Sequence, residues 1–224
     1  MKIEKQKEED SLTELDIFKI VRDRMYSALN SYFIWKIMNQ LMNINGETGK
    51  NGAQENLDLV INKYKYFFQE IIISSYKTFI LDLSVFFDSD KYDETFSLNK
   101  LINLIQKEDN GLNIEEIKKE IEKIKKPHGK LIGLILKLRN QDAAHQGINP
   151  SQHKLVYSEV EDLFKAVHSI LNKLTLYYDN SVTSWGHVEK DMKHDIDLIF
   201  NNLKRGELLR LKEIREKWGL DITS

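Results

Sequence analysis

Apolar residues recur at steps of three and four positions along most of the chain, the spacing that places side chains on one face of an α-helix. The first such stripe runs from Leu15 to Leu41, after a capping-box spacing at Ser11 and Glu14, and predicts a helix that begins near Ser11. Ten glycines and two prolines are too few for the turns of an all-β chain of 224 residues. The sequence therefore predicts an all-α protein.

Three further helical patterns follow in the first half of the chain. The segment from Asn56 to Phe87 is apolar on most sides, as the central helix of a bundle would be. Ser97 can cap a short helix, and Asn113 can cap a charged helix that we expect Pro127 to close. Each pattern therefore predicts one helix.

The second half of the chain predicts three more helical segments. They run from about His128 to Ala144, from Leu155 to about Tyr178, and from Trp185 to Trp218, with a break expected near Gly206. No repeat or long linker separates them, so we expect one all-α domain over 1–224, folded as an antiparallel helical bundle. It would have a long N-terminal helix over 11–44 and a C-terminal helical segment over 184–218.

Composition excludes several classes of protein. The chain has no cysteine, which excludes a disulfide framework, a thiolate metal site and a cysteine nucleophile. With 33 basic and 35 acidic side chains the net charge is −2, so any site for a polyanion must be local. No stretch approaches about 18 uninterrupted apolar residues, and the charged N-terminus does not resemble a signal peptide. We expect a cytoplasmic protein with no membrane partner.

Two motifs that could suggest cofactors are weak. The segment Gly46–Asn51 has the glycines of a phosphate-binding loop but lacks its spacing and the buried strand before it, so we interpret it as a flexible loop. His187, Asp191, His194 and Asp195 fall on one face of a predicted helix, where metal ligands could lie, but a solvated polar face is the commoner explanation. Isolated histidines, His153 and His168, have no ligand-spaced neighbours. We therefore expect neither a metal nor a cofactor.

The most informative stretch runs from Lys123 to His145. Five lysines and Arg139 occur between Lys123 and Arg139 without a carboxylate, and Arg139 falls in the apolar sector of the predicted helix. A buried charge needs partners, because an unpaired one costs several kcal/mol. Either Asp142 pairs with Arg139 locally, or this face lines a cleft or subunit interface where the guanidinium meets a phosphate. His145, six positions later, could share that cleft.

The segment from Arg139 to His145, RNQDAAH, resembles the R-x(4–6)-H signature of the HEPN superfamily, and most closely the abortive-infection (AbiU-type) branch with its approximate pattern R-N/D-x-x-x-A-H. The order upstream is similar too: an aromatic-rich helix, then Asp88, then the short helix opened by Ser97. The resemblance covers about 55–178. It departs from the branch at Gly147, where an aspartate is frequent, and it lacks His-x-Tyr, so tyrosine adenylylation is not implied.

The resemblance implies a HEPN-like four-helix core, with the N- and C-terminal helices added to it. It also implies a homodimer in which two motifs face each other as one metal-independent endoribonuclease site. Arg139 would hold the phosphate and stabilise its charge, His145 would transfer protons, and Asn140 would orient the phosphate or the opposing histidine. The expected products are a 2′,3′-cyclic phosphate and a 5′-hydroxyl. Candidate contacts to the RNA backbone are Lys125, Lys126, Lys130 and Lys137.

The sequence leaves open two hypotheses about biological role and one structural explanation for Arg139. The implied role is phage defence or toxicity, with RNA as the target and a neutralising antitoxin or another defence protein as a further partner. The alternative is a non-catalytic HEPN-like module that binds RNA, a nucleotide or a protein. If Arg139 serves only to pair with Asp142, its replacement would lower stability without changing RNA affinity.

Overall fold

The computed structural model describes residues 12–42, 55–88, 97–108, 113–144 and 155–219, with side chains described as far as Asn140 in the fourth of these ranges. All regular structure in these ranges is helical, which confirms the all-α prediction. The elements are α1 (Glu14–Leu41), a π-helical turn π1 (Leu59–Lys63) that continues a helical turn at 55–58, α2 (Lys65–Phe86), α3 (Leu98–Glu108), α4 (Ile114–Ala144), α5 (Tyr157–Asp179) and α6 (Val188–Trp218).

The first helix begins at Glu14, later than the spacing at Ser11 predicts. Thr13 caps it: its Oγ1 accepts a hydrogen bond from the backbone N–H of Asp16 at 3.2 Å, and Asp16 Oδ2 accepts the Thr13 N–H at 3.1 Å. This reciprocal pair is a capping box in which Asp16, the third residue of the helix, replaces the usual glutamate or glutamine. Thr13 was not predicted as the capping residue, and Ser11 lies outside the described residues.

The pattern from Asn56 to Phe87 does not form one continuous helix, contrary to the prediction. In π1 the backbone N–H of Tyr64 bonds to the carbonyl of Leu59 at 2.8 Å, which spans five residues instead of four. Tyr64 then leaves helical geometry at φ −126°, and α2 begins at Lys65. Because the segment is apolar on most sides, its pattern fixes no register that would reveal an inserted residue.

The expected break at Pro127 is absent, since α4 continues through it from Ile114 to Ala144. Proline removes one backbone hydrogen bond from a helix interior, which normally favours a break. The buried residues keep one register across it, because Ile124 and Leu131 lie seven positions apart on the same face and both are buried. Packing of this stripe therefore outweighs the local cost of the proline.

The last two helices begin and end close to the predicted bounds, but the break predicted near Gly206 is absent. α5 spans the predicted range to within two residues at each end, with Val160, Leu163 and Val167 fully buried. α6 shows no break at Gly206 and ends at Gly219, whose φ of +56° is the left-handed conformation common after helix C-termini. A single glycine in a helix costs only about 1 kcal/mol, so Gly206 does not end α6.

The chain forms two compact units. Unit 1 comprises Met1–Tyr26 and Leu81–Thr183, and its core includes Phe18, Leu101, Ile135 and Leu163. Unit 2 comprises Ser27–Ile80 and Ser184–Ser224 and has an aromatic core. In it Tyr32 lies 5.3 Å from Phe79 between ring centroids, and Phe68 stacks on Phe200 at 5.2 Å. The division falls within α1 and within α2, so each of these helices contributes to both units.

Candidate functional site

Arg139 lies near the C-terminal end of α4, in unit 1. Its neighbours Ile135 and Leu138 are buried, and the Arg139 side chain itself retains 23% of its exposure. The position therefore matches the helical-wheel prediction of a cation beside an apolar stripe. A positive charge near this end of a helix also interacts favourably with the helix dipole.

The partner of Arg139 is Asp88, which follows α2 in unit 1. Arg139 Nη1 donates a short, charge-assisted hydrogen bond to Asp88 Oδ2, and the Asp88 side chain is only 11% exposed. The backbone of Asp88 is held as well, since Asn99 Nδ2 of α3 donates to its carbonyl oxygen at 2.9 Å. The ends of α2 and α4 and the start of α3 therefore converge on one ion pair.

Asn140 supplies the second contact to the guanidinium. Arg139 Nε donates to Asn140 Oδ1 at 3.2 Å, which brings two of the three predicted site residues together. Arg139 Nη2 makes no hydrogen bond to any residue that the structure describes. The guanidinium is thus oriented by two partners and keeps N–H donors for a further acceptor.

His145 directly follows the last residue of α4 and lies outside the described residues. The side chain of Asp142, the local partner considered for Arg139, also lies outside them. Asp88 was part of the order that resembles the family, but no spacing in the sequence indicates that it is the partner of Arg139. The two residues are 51 positions apart, and helical periodicity carries no information about contacts over such a separation.

The four candidate lysines differ in their surroundings. Lys125 forms an ion pair with Glu122 on the same helix, with 3.0 Å between Nζ and Oε1. Lys126, Lys130 and Lys137 are exposed and form no ion pair within the described part of the chain. These three lysines therefore remain available for an external anion, whereas the charge of Lys125 is partly neutralised.

The other candidate residues do not form a recognisable site. Across the described ranges, which include His187 and His194, no three His, Cys, Asp or Glu side chains come close enough together to hold a metal ion. The glycine-rich segment Gly46–Asn51 and His153 lie outside the described residues.

His168 lies on α5 and contacts Thr183, in the segment that follows this helix. Its Nε2 is 2.9 Å from the carbonyl oxygen of Thr183, and Asn172 holds the same residue through its side-chain amide. Burial lowers the pKa of His168 below its usual value, although the bond to Thr183 partly opposes that effect. These contacts hold Thr183 against α5, so we assign His168 a structural role.

A comparison with known families decides the broader assignment. The HEPN_AbiU2 family model, described as AbiU2, matches residues 15–198. The chain belongs to the AbiU2 family. This confirms the resemblance to the abortive-infection branch and an all-α, HEPN-like helical fold. The match extends beyond the expected 55–178 at both ends and includes most of α1 and the first part of α6.

No curated protein and no solved structure matches the chain significantly. Within the described ranges, none of the helices in this AbiU2 family member combines the length and apolar character needed to cross a membrane.

Proposed function

We propose that this AbiU2 family member is a metal-independent endoribonuclease of the phage-defence or toxin type. One observation supports the proposal above all: Arg139 is oriented by Asp88 and Asn140, yet its side chain is partly exposed and Nη2 has no protein partner in the described ranges. A planar guanidinium with available donors is well matched to a phosphate group. The family assignment places this arginine in a chain related to abortive infection.

The proposed chemistry needs few protein groups, because RNA supplies its own nucleophile. The 2′-hydroxyl oxygen attacks the adjacent phosphorus, and the bond from phosphorus to the 5′-oxygen breaks, giving a 2′,3′-cyclic phosphate and a 5′-hydroxyl. Arg139 holds the phosphate and stabilises charge on its oxygens. His145 accepts the proton of the 2′-hydroxyl or donates one to the leaving 5′-oxygen, a contribution worth about 10²–10⁴-fold.

The proposed site is composite. Two copies of the chain would bring two Arg139–His145 motifs together, so that the arginine of one copy acts with the histidine of the other. Asn140, which already contacts Arg139, would orient the phosphate or the opposing histidine. Lys126, Lys130 and Lys137 would bind the RNA backbone outside the scissile linkage, with Lys125 contributing less because of its bond to Glu122.

Cleavage of RNA tests this proposal directly. The purified full chain is incubated with mixed-sequence single-stranded RNA in excess chelator, and the fragments are examined for cyclic phosphate and 5′-hydroxyl ends. Arg139→Lys retains the charge but loses the planar fork, so we expect it to lower the cleavage rate at least about tenfold. His145→Gln should lower the rate by about 10²-fold or more.

Arg22→Lys is a matched control for the arginine variant. Arg22 also lies in unit 1 and pairs with an aspartate, Asp179, at 2.8 Å, and its side chain is 25% exposed, close to the 23% of Arg139. We expect this control to cleave like the wild type. Cleavage that survives both Arg139→Lys and His145→Gln would reject the proposed site. RNA binding without cleavage by any form would favour the non-catalytic binding module.

Mixed dimers test the composite arrangement. Arg139→Lys and His145→Gln proteins each cleave slowly in the proposal, but a dimer containing one copy of each retains one native arginine and one native histidine on opposite copies. Mixing the two proteins should therefore restore part of the cleavage, in proportion to the mixed dimer measured by mass. An active protein that is strictly monomeric would contradict the composite site.

A further inference from the structure

The exposed face of α4 is unusual between Lys123 and Asn140. Its exposed members are Lys123, Lys126, Pro127, Gly129, Lys130, Gly133, Lys137 and Asn140, with no carboxylate among them. The three lysines without ion-pair partners in the described ranges, Lys126, Lys130 and Lys137, extend over about 16 Å of helix. This face therefore presents a row of available cations that leads to the turn of α4 carrying Arg139.

Gly129 and Gly133 lie within this row, and nothing in the described part of the chain accounts for them. Both occupy ordinary helical geometry and are exposed, and a methyl group at either position would meet no other atom within 4 Å. Glycine in a helix interior is unfavourable relative to most other residues. The two glycines leave a stretch of α4 where another molecule can come close to the helix backbone.

We propose that Gly129 and Gly133 allow the sugar–phosphate backbone of a single RNA strand to lie directly against α4, between Lys126, Lys130 and Lys137. The inference rests on the proposed RNA substrate and adds the path by which the strand reaches Arg139. Charge complementarity supports it, because the face is cationic along its length and RNA is a polyanion. A side chain at either glycine would separate the strand from the lysines beside it.

The other explanation for the paired glycines is a dimer in which α4 of one copy packs closely against α4 of a second copy. A symmetric contact centred on Gly129 and Gly133 would place Lys126 and Lys130 of one copy against the same residues of its partner. Like charges brought together in this way repel each other. The distribution of charge therefore favours a polyanion over a second copy on this face.

The test compares stability with RNA affinity in the full chain. Gly133→Gln introduces a neutral helix-forming residue, so it should raise the melting temperature by about 2 °C or more. It should also weaken the binding of a single-stranded RNA probe several-fold. The probe carries 2′-O-methyl groups, which remove the nucleophile and allow binding to be measured without cleavage.

Gly206→Gln is the matched control, since Gly206 is exposed within α6 and a methyl group there would also meet no atom within 4 Å. It should raise the melting temperature similarly and leave RNA affinity unchanged. Lys130→Gln should weaken binding and reduce the salt dependence, the slope of log K against log salt, by about 0.7.

The outcomes separate this inference from the proposed function. If Lys130→Gln weakens binding and Gly133→Gln does not, the close-approach inference is overturned while RNA binding stands. If the wild type does not bind the probe, both are overturned. If Gly133→Gln leaves RNA binding intact but converts a dimer to monomers in sedimentation, the face is instead a contact between copies. A higher melting temperature with weaker RNA binding in Gly133→Gln, and unchanged RNA binding in Gly206→Gln, would support the inference.

Discussion

Arg139 and Asp88 form an ion pair in which neither side chain is fully exposed to solvent. Their exposures are 23% and 11%, and the hydrogen bond between them joins residues from α4 and the end of α2. Removing either side chain would leave the other as an unpaired charge in a partly buried position. The same pair orients the guanidinium in the proposed site, so stability and activity are coupled at these two residues.

Asp88→Asn tests how much the Arg139–Asp88 pair contributes to stability. The substitution keeps the shape of the side chain but removes its charge, and we expect a loss of about 1–3 kcal/mol in the free energy of unfolding, measured by urea denaturation. Asp23→Asn is the control, because Asp23 also pairs with an arginine at 3.3 Å but is 69% exposed. It should change stability by less than about 0.5 kcal/mol. Equal effects of the two substitutions would show that burial of the Asp88 pair contributes nothing.

His168 predicts a pH dependence of stability. Burial lowers its pKa in the folded chain below the unfolded value, so the unfolded chain binds the proton more tightly. The neutral imidazole therefore favours folding at neutral pH, and this contribution should be lost as the pH falls below about 6.5 toward the folded pKa. His168→Gln, which can still donate to the Thr183 carbonyl, should reduce that dependence in urea titrations at several pH values. An unchanged profile would contradict the role assigned to burial.

At the scale of elements, helices were predictable where one narrow apolar face sets the register. Ser97 caps α3 by accepting the Lys100 N–H at 3.2 Å, and Asn113 caps α4 by accepting the Glu116 N–H at 3.2 Å, both as their spacing predicts. The continuity of α4 was not predictable from Pro127 alone, because packing on both sides of it decides the outcome. The π-turn after 55–58 left no sequence signal that periodicity could detect.

The candidate site was predictable in part for the same reason. The wheel placed Arg139 on the apolar side of its helix, and the resemblance supplied the pattern that includes Asn140. The Asp88 contact could not be derived from spacing, since it joins two helices through the fold. Helical periodicity describes neighbours along one helix, whereas an ion pair between helices depends on how those helices pack.

Pro127→Ala tests the balance within α4. Alanine restores a backbone donor in the helix interior, and the proline costs about 3 kcal/mol there relative to alanine. Proline also restricts the unfolded chain, which offsets about 0.4–1 kcal/mol. We therefore expect the substitution to stabilise the protein by about 2 kcal/mol in urea denaturation. A loss of stability would indicate that α4 needs the proline geometry at this position.

At the scale of the molecule, the two compact units share α1 and α2. The division falls between Tyr26 and Ser27 in α1 and between Ile80 and Leu81 in α2. Breaking a helix at either point would expose backbone groups and separate residues that are buried on the two sides of the break, such as Ile80 and Leu83 in α2. The units are therefore expected to unfold together, as the single domain predicted from the sequence would.

Calorimetry provides the measurement for this prediction. We expect one transition whose calorimetric enthalpy equals its van't Hoff enthalpy. A substitution confined to one unit, such as Phe200→Ala in unit 2, should shift that transition to lower temperature without splitting it. Two resolved transitions, only one of which moves in Phe200→Ala, would show that the units fold independently.

The ion pair between Arg139 of α4 and Asp88, which follows α2, constrains any redesign of this protein. Because Asp88 and Arg139 are complementary in charge and come from distant parts of the chain, neither can be rewritten alone without leaving a mismatched neighbour. Attempts to install a different chemistry at the end of α4 should begin by choosing both positions together. A library that varies only the RNQDAAH segment would change Arg139 and leave its partner Asp88 fixed.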